Sequence, residues 1–587
     1  MRVRYFTQLA LLLCCAAGVV RAQLSQDQKV FEFQVLASFV AKEYAPYEWK
    51  RDVIGFDALE VRPWLERVRE APDDLAYFEI CAEYVASLQD LHMAYFVPSD
   101  FRATIPLGVD LNDGKALIDE INRTVLPRRT YDFEIGDELI SVDGVTAEEW
   151  IRRVSRLLSL GNSQTTRRFS LSTLFDLRQS MLPRAHEIGD EATVVIRKAN
   201  GEIASYRIEW IKAGTPLLRV GPTLTPKLTS RNALWEEVFG EENAPAPGEA
   251  EEAEPVNYVE KRAPSYLRPL YGLRDRSLPE SQRIRRLGSI RPAFDLPPGF
   301  RLRLGRGVLD FFFSGVIEQD GARIGFIRIP TFSLQPGFAQ FFALQQFASE
   351  VAFLDQNTDG LIVDVMRNAG GDICYTEELL SHLIPQRFVT VGDEIRPTLP
   401  WLINFRRALE EAKEDGAEQW VIDMLGVIVR DLETAYGELR GRTGPLSVCS
   451  LSLEVLPATD QAGRNIAYTK PLIVLTDGFT MSAAEMFAAI IQDNRRGLVL
   501  STRTPGGGAL SRVAPTGFFS EVFAQMSVSM AVRPAEIATP DFPTTRYIEN
   551  VGVRPDIEIE FMTGGNLANG GRMFLEEVLA AARARIR

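Results

Sequence analysis

The sequence predicts a multidomain α/β protein: a helical N-terminal domain, then a β-rich domain, then an α/β core at the C-terminal end. Three textures along the 587 residues predict it. Over 25–96, apolar residues recur at helical spacing, as in "FEFQVLASFVAKEY" and "LAYFEICAEYVASLQDLHMAYF". Over 105–210, short β-like runs are broken by turns. From 308 onward, apolar strands alternate with helical stretches, the signature of βαβ units and a largely parallel sheet. A chain of this length is too long for one core.

The first 22 residues read as a signal peptide. Arg2 and Arg4 precede the apolar run "LALLLCCAAGVV", and "VRA" ends on a small residue before Gln23. That run is too short to span a bilayer, and no later stretch approaches ~20 apolar residues, so export without stable membrane insertion is expected. The formal charge of −14 argues against a general nucleic-acid binder. Cys14 and Cys15 fall in the leader, which leaves Cys81, Cys374 and Cys449. These make no disulfide framework, and at most one bridge can form.

The helical domain is assigned to 23–103 and carries His92. The β-rich domain follows at 104–213. It contains "VDLNDGKALIDEI", "FEIGDELISVDGV" and "ATVVIRKANGEIASYRIEWI", where "KANGE" signals a hairpin. A helical insert beginning "EEWIRRVSRLLSL" interrupts it. Residues 214–300 read as a linker. Nine glutamates and no basic residue occupy 236–260, a composition with too little apolar surface to offset its ordering entropy, and an arginine-rich stretch follows.

The core, 301–587, opens with the strand "ARIGFIRIP" and the helix "FAQFFALQQFASEVAFL". "DGLIVDVM" is nearly all apolar, as a strand covered on both faces must be. The helix "TEELLSHLI", the strand "KPLIVLTDG", the helix "SAAEMFAAIIQDN" and the strand "RGLVLSTR" continue the alternation. "DQNTDG" begins like a calcium loop, but its twelfth position is Met366, and "TPGGG" lacks the lysine of a phosphate loop. Neither a metal nor a cofactor is expected.

Two places in the core could carry chemistry. Ser482 sits where a strand breaks into a helix, and the N–H groups exposed at a helix start favour developing negative charge. That suits a nucleophile. A serine before a helix is equally an ordinary N-cap, and Glu485 three residues on completes a capping box, so local sequence favours the cap. In "DVMRNAGGD", Gly370 and Gly371 follow a buried strand and can turn backbone N–H groups into a cleft.

The ordered motifs "LIVDVMRNAGG", "PLIVLTDGFTMSAAEMFAAIIQDNRRGLVLSTRTPGGG" and "IENVGVRPDIEIE" resemble the core of the C-terminal-processing and tricorn-type serine peptidases. The resemblance covers most of 300–562. "FEIGDELISVDGV" is similar to the strand-turn of a PDZ domain, which those peptidases carry. The resemblance implies a ClpP/crotonase-like core and a secreted or periplasmic serine endopeptidase acting on protein or peptide substrates. The layout also resembles family members in which a segment between domains blocks the site until self-cleavage, with dimerisation, so a homodimer and zymogen control through 214–300 are implied too. The same fold serves non-catalytic ligand carriers, and the alternative is a ligand- or peptide-binding protein.

Within the family, the processing branch uses a lysine where this chain has Gly507, and no lysine follows Lys470. The tricorn-like branch uses an upstream histidine and a glutamate in an "E-N-x-G-V-x-P-D" stretch. His92 in "SLQDLHMAYF" and Glu549 in "IENVGVRPD" match those positions, with Leu91 where tricorn has serine. The resemblance implies Ser482, His92 and Glu549 as catalytic residues, with an oxyanion held by Ala483 and the Gly370–Gly371 loop. His186 and His382 are the other two histidines.

Overall fold

A computed structural model describes residues 23–218, 287–307, 309–334 and 337–586. The expected signal peptide and most of the expected linker lie outside the described residues. Helix α1 (Gln26–Glu43) starts at Ser25, whose hydroxyl accepts from Gln28 N–H while the Gln28 side chain accepts from Ser25 N–H, a complete capping box. With α2 (Arg62–Glu70) and α3 (Asp74–Ala86) it buries Phe33, Leu36, Val40, Phe78 and Tyr84. That core also contains Val522, Ala524 and Met526 from the far end of the chain. The reason is strand pairing: β1 (Ala94–Phe96) runs antiparallel to Phe523–Ser527, with Tyr95 opposite Ala524. Glu32 of α1 reinforces the junction by accepting from the N–H groups of Phe518 and Ser520, at 2.9 and 2.6 Å, and from the Ser520 hydroxyl. The helical segment therefore completes its core only with a hairpin of the C-terminal half.

The β-rich domain is an antiparallel sheet. In spatial order its strands are β2 (Leu107–Asn112), β3 (Lys115–Ile121), β4 (Glu138–Val142), β5 (Glu191–Arg197) and β6 (Ile203–Glu209). The expected hairpin lies between β5 and β6, with Gly201 at φ +88° in its turn. The insert holds α4 (Ala147–Val154) and α5 (Ser163–Ser172), and α5 faces the core. Asn162 donates to Thr504 O at 2.9 Å, Thr165 to Gly478 O at 2.9 Å, and Arg168 lies over the Phe479 ring. A bidentate pair with Asp110 of β2 fixes Arg168 in turn.

The core sheet begins with two antiparallel strands, β7 (Arg301–Leu304) and β8 (Phe313–Gln319). It continues with β9 (Ala322–Arg328), which is antiparallel to β8. From β9 onward β10 (Gly360–Asp364), β11 (Leu472–Thr476), β12 (Leu498–Ser501) and β13 (Ile557–Glu558) run parallel. Every residue of β10 and β11 is buried, because helices cover both faces. Val363 and Val474 pack with Phe347, Leu379 and Phe487 on one side. Ile362 and Ile473 meet Phe574 and Val578 of the last helix on the other. Alternation along each strand thus feeds two hydrophobic layers, with about 1.5–3 kcal/mol gained per large side chain buried. Cys374 and Cys449 are joined in a disulfide and Cys81 is free and buried.

Candidate active site

Strand β11 ends at Thr476, and helix α6 (Ala483–Asp493) starts directly after Ser482. An N-cap serine has an extended backbone, but Ser482 is at φ +54°, ψ −123°. This region is sparsely populated by non-glycine residues and stores roughly 1–3 kcal/mol of strain. A sharp strained turn between strand and helix is the geometry that projects a nucleophile out of a sheet. Glu485 holds it there. Its buried carboxylate accepts from Ser482 N–H at 3.1 Å, from the Thr504 hydroxyl at 2.6 Å, and from Gly506 and Gly507 N–H at 2.7 and 2.9 Å. The capping box expected from sequence therefore works as a brace between the serine turn and the glycine loop.

The loop after β10 lies against this turn. A Cβ on Gly370 would stand 2.7 Å from Ser482 Cβ and 2.9 Å from Ala483 N, so only glycine permits the approach. Gly370 N–H donates to Asn368 Oδ1 at 2.9 Å. Gly371 has φ +140° and backs onto Phe332 and Ser333. Asp372 next caps the helix Ile373–Ser381 by accepting from Cys374 and Tyr375 N–H.

His92 Nε2 lies 3.2 Å from Ser482 Oγ across 390 residues of sequence. The ring is buried, and burial lowers its pKa while the Asp90 carboxylate opposes that shift. Asp90 accepts from His92 N–H at 2.8 Å, from the Tyr44 hydroxyl at 2.8 Å and from the Ser527 hydroxyl at 3.0 Å. Glu549 is fully buried, and it pairs with Lys50 rather than with the imidazole. Among the described residues, His92 Nδ1 and Glu549 Oε2 have no hydrogen-bond partner. Burial and Asp90 push the Glu549 carboxyl up to about 8, against the pull of Lys50.

The other two histidines stand apart from this group. His186 Nδ1 bonds to the Gln179 side chain at 2.9 Å, and His382 packs edge-on to Phe347. Lys50, Asn550 and Tyr44 were not singled out from sequence. Asn550 is the one with a local signal, since it directly follows Glu549 in the motif. It accepts from Trp49 Nε1 and donates to Gln89 O and Gly161 O.

Residues 323–559 match peptidase family S41, and residues 102–216 match a PDZ domain. The core belongs to peptidase family S41. Along the whole chain, a protein of Chlamydia trachomatis is 24% identical over 584 residues, covering 93% of this chain and 91% of its own length. A protein of Chlamydia pneumoniae is 23% identical, covering 94% and 89%. Among solved structures, mature CPAF superposes with a TM-score of 0.70 at 20% identity, covering 94% of this chain and 96% of that one. The S41 assignment makes the protein a serine-type peptidase with a PDZ domain and a helical N-terminal region. No helix among the described residues is long and apolar enough to cross a membrane.

Proposed function

We propose that the chain is an exported serine endopeptidase in which Ser482 attacks the scissile carbonyl and His92 is the general base. The observation that carries this reading is the 3.2 Å approach of His92 Nε2 to Ser482 Oγ, combined with the strained backbone of Ser482. The serine hydroxyl passes its proton to Nε2 as the oxygen bonds to the carbonyl carbon. Ala483 N–H, at the start of α6, and Gly371 N–H receive the oxyanion, since Gly370 N–H is engaged with Asn368. The imidazolium then gives its proton to the leaving amine. In the second half, His92 deprotonates a water that hydrolyses the acyl-serine. Glu549, directly or through a group it positions, stabilises the imidazolium.

Burial keeps His92 neutral near neutral pH, the state a base requires. Export is supported by the basic and apolar leader, and by a disulfide that suits an oxidising compartment. The test is labelling with a fluorophosphonate. Ser482 is expected to be the modified residue, and His92→Ala to abolish the reaction. Labelling that survives His92→Ala at the wild-type rate would remove the histidine from the mechanism.

A further inference from the structure

We propose that Lys50 is a positioning residue of this site: its buried ammonium supplies the counter-charge of Glu549 and locks the backbone before His92 to the Glu549–Asn550 turn. The inference rests on the reading of Glu549 given above. Lys50 is completely buried, which is rare for lysine and requires that its charge and donors be matched. It opens the π-helical turn Lys50–Ile54, a distortion of the kind often found at functional sites. An ammonium has three N–H donors, and Lys50 has three acceptors: Glu549 Oε1, Asn550 Oδ1 at 2.6 Å and Gln89 O at 3.1 Å.

The three acceptors join two parts of the site. Gln89 is three residues before His92 and has a left-handed backbone, φ +48°. Asn550 is also left-handed, φ +60°, and donates back to Gln89 O at 2.6 Å. The segment that delivers the base and the segment that delivers the carboxylate thus meet on one cation.

The electrostatics point the same way. Burial, Asp90 and Glu485 all disfavour the ionised form of Glu549, and Lys50 is the group that opposes them. Tyr44, which senses both Asp90 and Glu549, is itself raised and stays a neutral donor to Asp90. Without the ammonium, Glu549 would hold its proton to still higher pH and lose its effect on the imidazolium over that range. Nothing in the sequence pattern marks Lys50, because its partner Glu549 is 499 residues away.

The experiment uses the full-length enzyme, with a peptide substrate and the variants Lys50→Met, Glu549→Gln and the double variant. Expected are kcat losses of about 100-fold in each single variant with little change in KM, and a double variant no slower than either, because the two groups act as a unit. The acid limb of the Lys50→Met profile should move up by about one pH unit or more, since the carboxyl then ionises only at higher pH. A lysine needed only for folding would lower the melting temperature and leave that limb in place. The double variant leaves no unpaired charge in the pocket, so it reports on turnover even if Lys50→Met folds poorly. Slow Glu549→Gln beside unimpaired Lys50→Met, or losses that multiply in the double variant, overturns the proposal. Wild-type turnover in Glu549→Gln instead removes Glu549 from the mechanism.

Discussion

Leu91 fills the space in front of Gly507. A Cβ on Gly507 would overlap the Leu91 side chain and stand 2.8 Å from its Cγ. These are the two positions at which the chain departs from the branches it resembles, with glycine replacing a lysine and leucine replacing a serine. The departures fit each other: a lysine at 507 and Leu91 could not occupy this space together. Gly507→Ala should therefore destabilise by about 1–3 kcal/mol and displace His92, lowering kcat/KM. Adding Leu91→Ala should not rescue it, because the Leu91 Cβ is itself among the overlapping atoms. Thermal melts and steady-state kinetics of the single and double variants check this.

The backbone of Ser482 gives a prediction in which stability and activity move in opposite directions. At φ +54°, ψ −123° a glycine is unstrained, so Ser482→Gly should raise stability by about 1 kcal/mol while removing turnover and fluorophosphonate labelling. Chemical denaturation measures the first and labelling the second. A variant that is both inactive and less stable would mean that the turn is not strained.

Burial holds the His92 pKa below its ordinary value of 6.5. A base must be neutral, so in Glu549→Gln, where the carboxyl pushed up to about 8 no longer titrates, the residual kcat/KM should hold on acidification until the pH falls through this lowered pKa, and then drop tenfold per unit. The acid limb of that variant should therefore lie below pH 6.5, and that of the wild type, which also needs the Glu549 carboxylate, above it. A limb above 6.5 in Glu549→Gln would mean that the Asp90 carboxylate outweighs burial.

The disulfide between Cys374 and Cys449 closes a 75-residue separation and starts two residues after the cap Asp372. Reducing it, or the pair Cys374→Ser and Cys449→Ser, should cost about 2–4 kcal/mol in an oxidised reference state. Because Cys374 lies in the first turn of the helix behind the glycine loop, the loss should be accompanied by lower kcat. Melting curves with and without reductant read the first effect, and activity before any unfolding reads the second.

Much of the architecture is legible locally. "DGLIVDVM" declares a strand buried on both faces because nothing polar interrupts it, and "KANGE" declares a turn because of its Asn-Gly pair. The insert interrupts the PDZ-like sequence pattern, and its helix α5 with the cap Asn162 bonds to the loops around Ser482. The capping box at Ser482 was also legible, but its geometry was not. The same four residues suit an extended cap or a strained turn, and the donors that Glu485 gathers from Thr504, Gly506 and Gly507 decide between them.

By itself the sequence determined the layers: helices first, an antiparallel β domain next, and a parallel core whose strands and turns are set by side-chain period and glycine placement. It also nominated His92 through resemblance, without saying how a residue of the first domain reaches one of the last. That was decided by the tertiary structure. The pairing of Tyr95 with Ala524, the saturation of Lys50 by Gln89, Glu549 and Asn550, and the choice of Cys449 for Cys374 all join residues far apart in sequence. Such contacts depend on where whole layers come to rest, and no local periodicity encodes that.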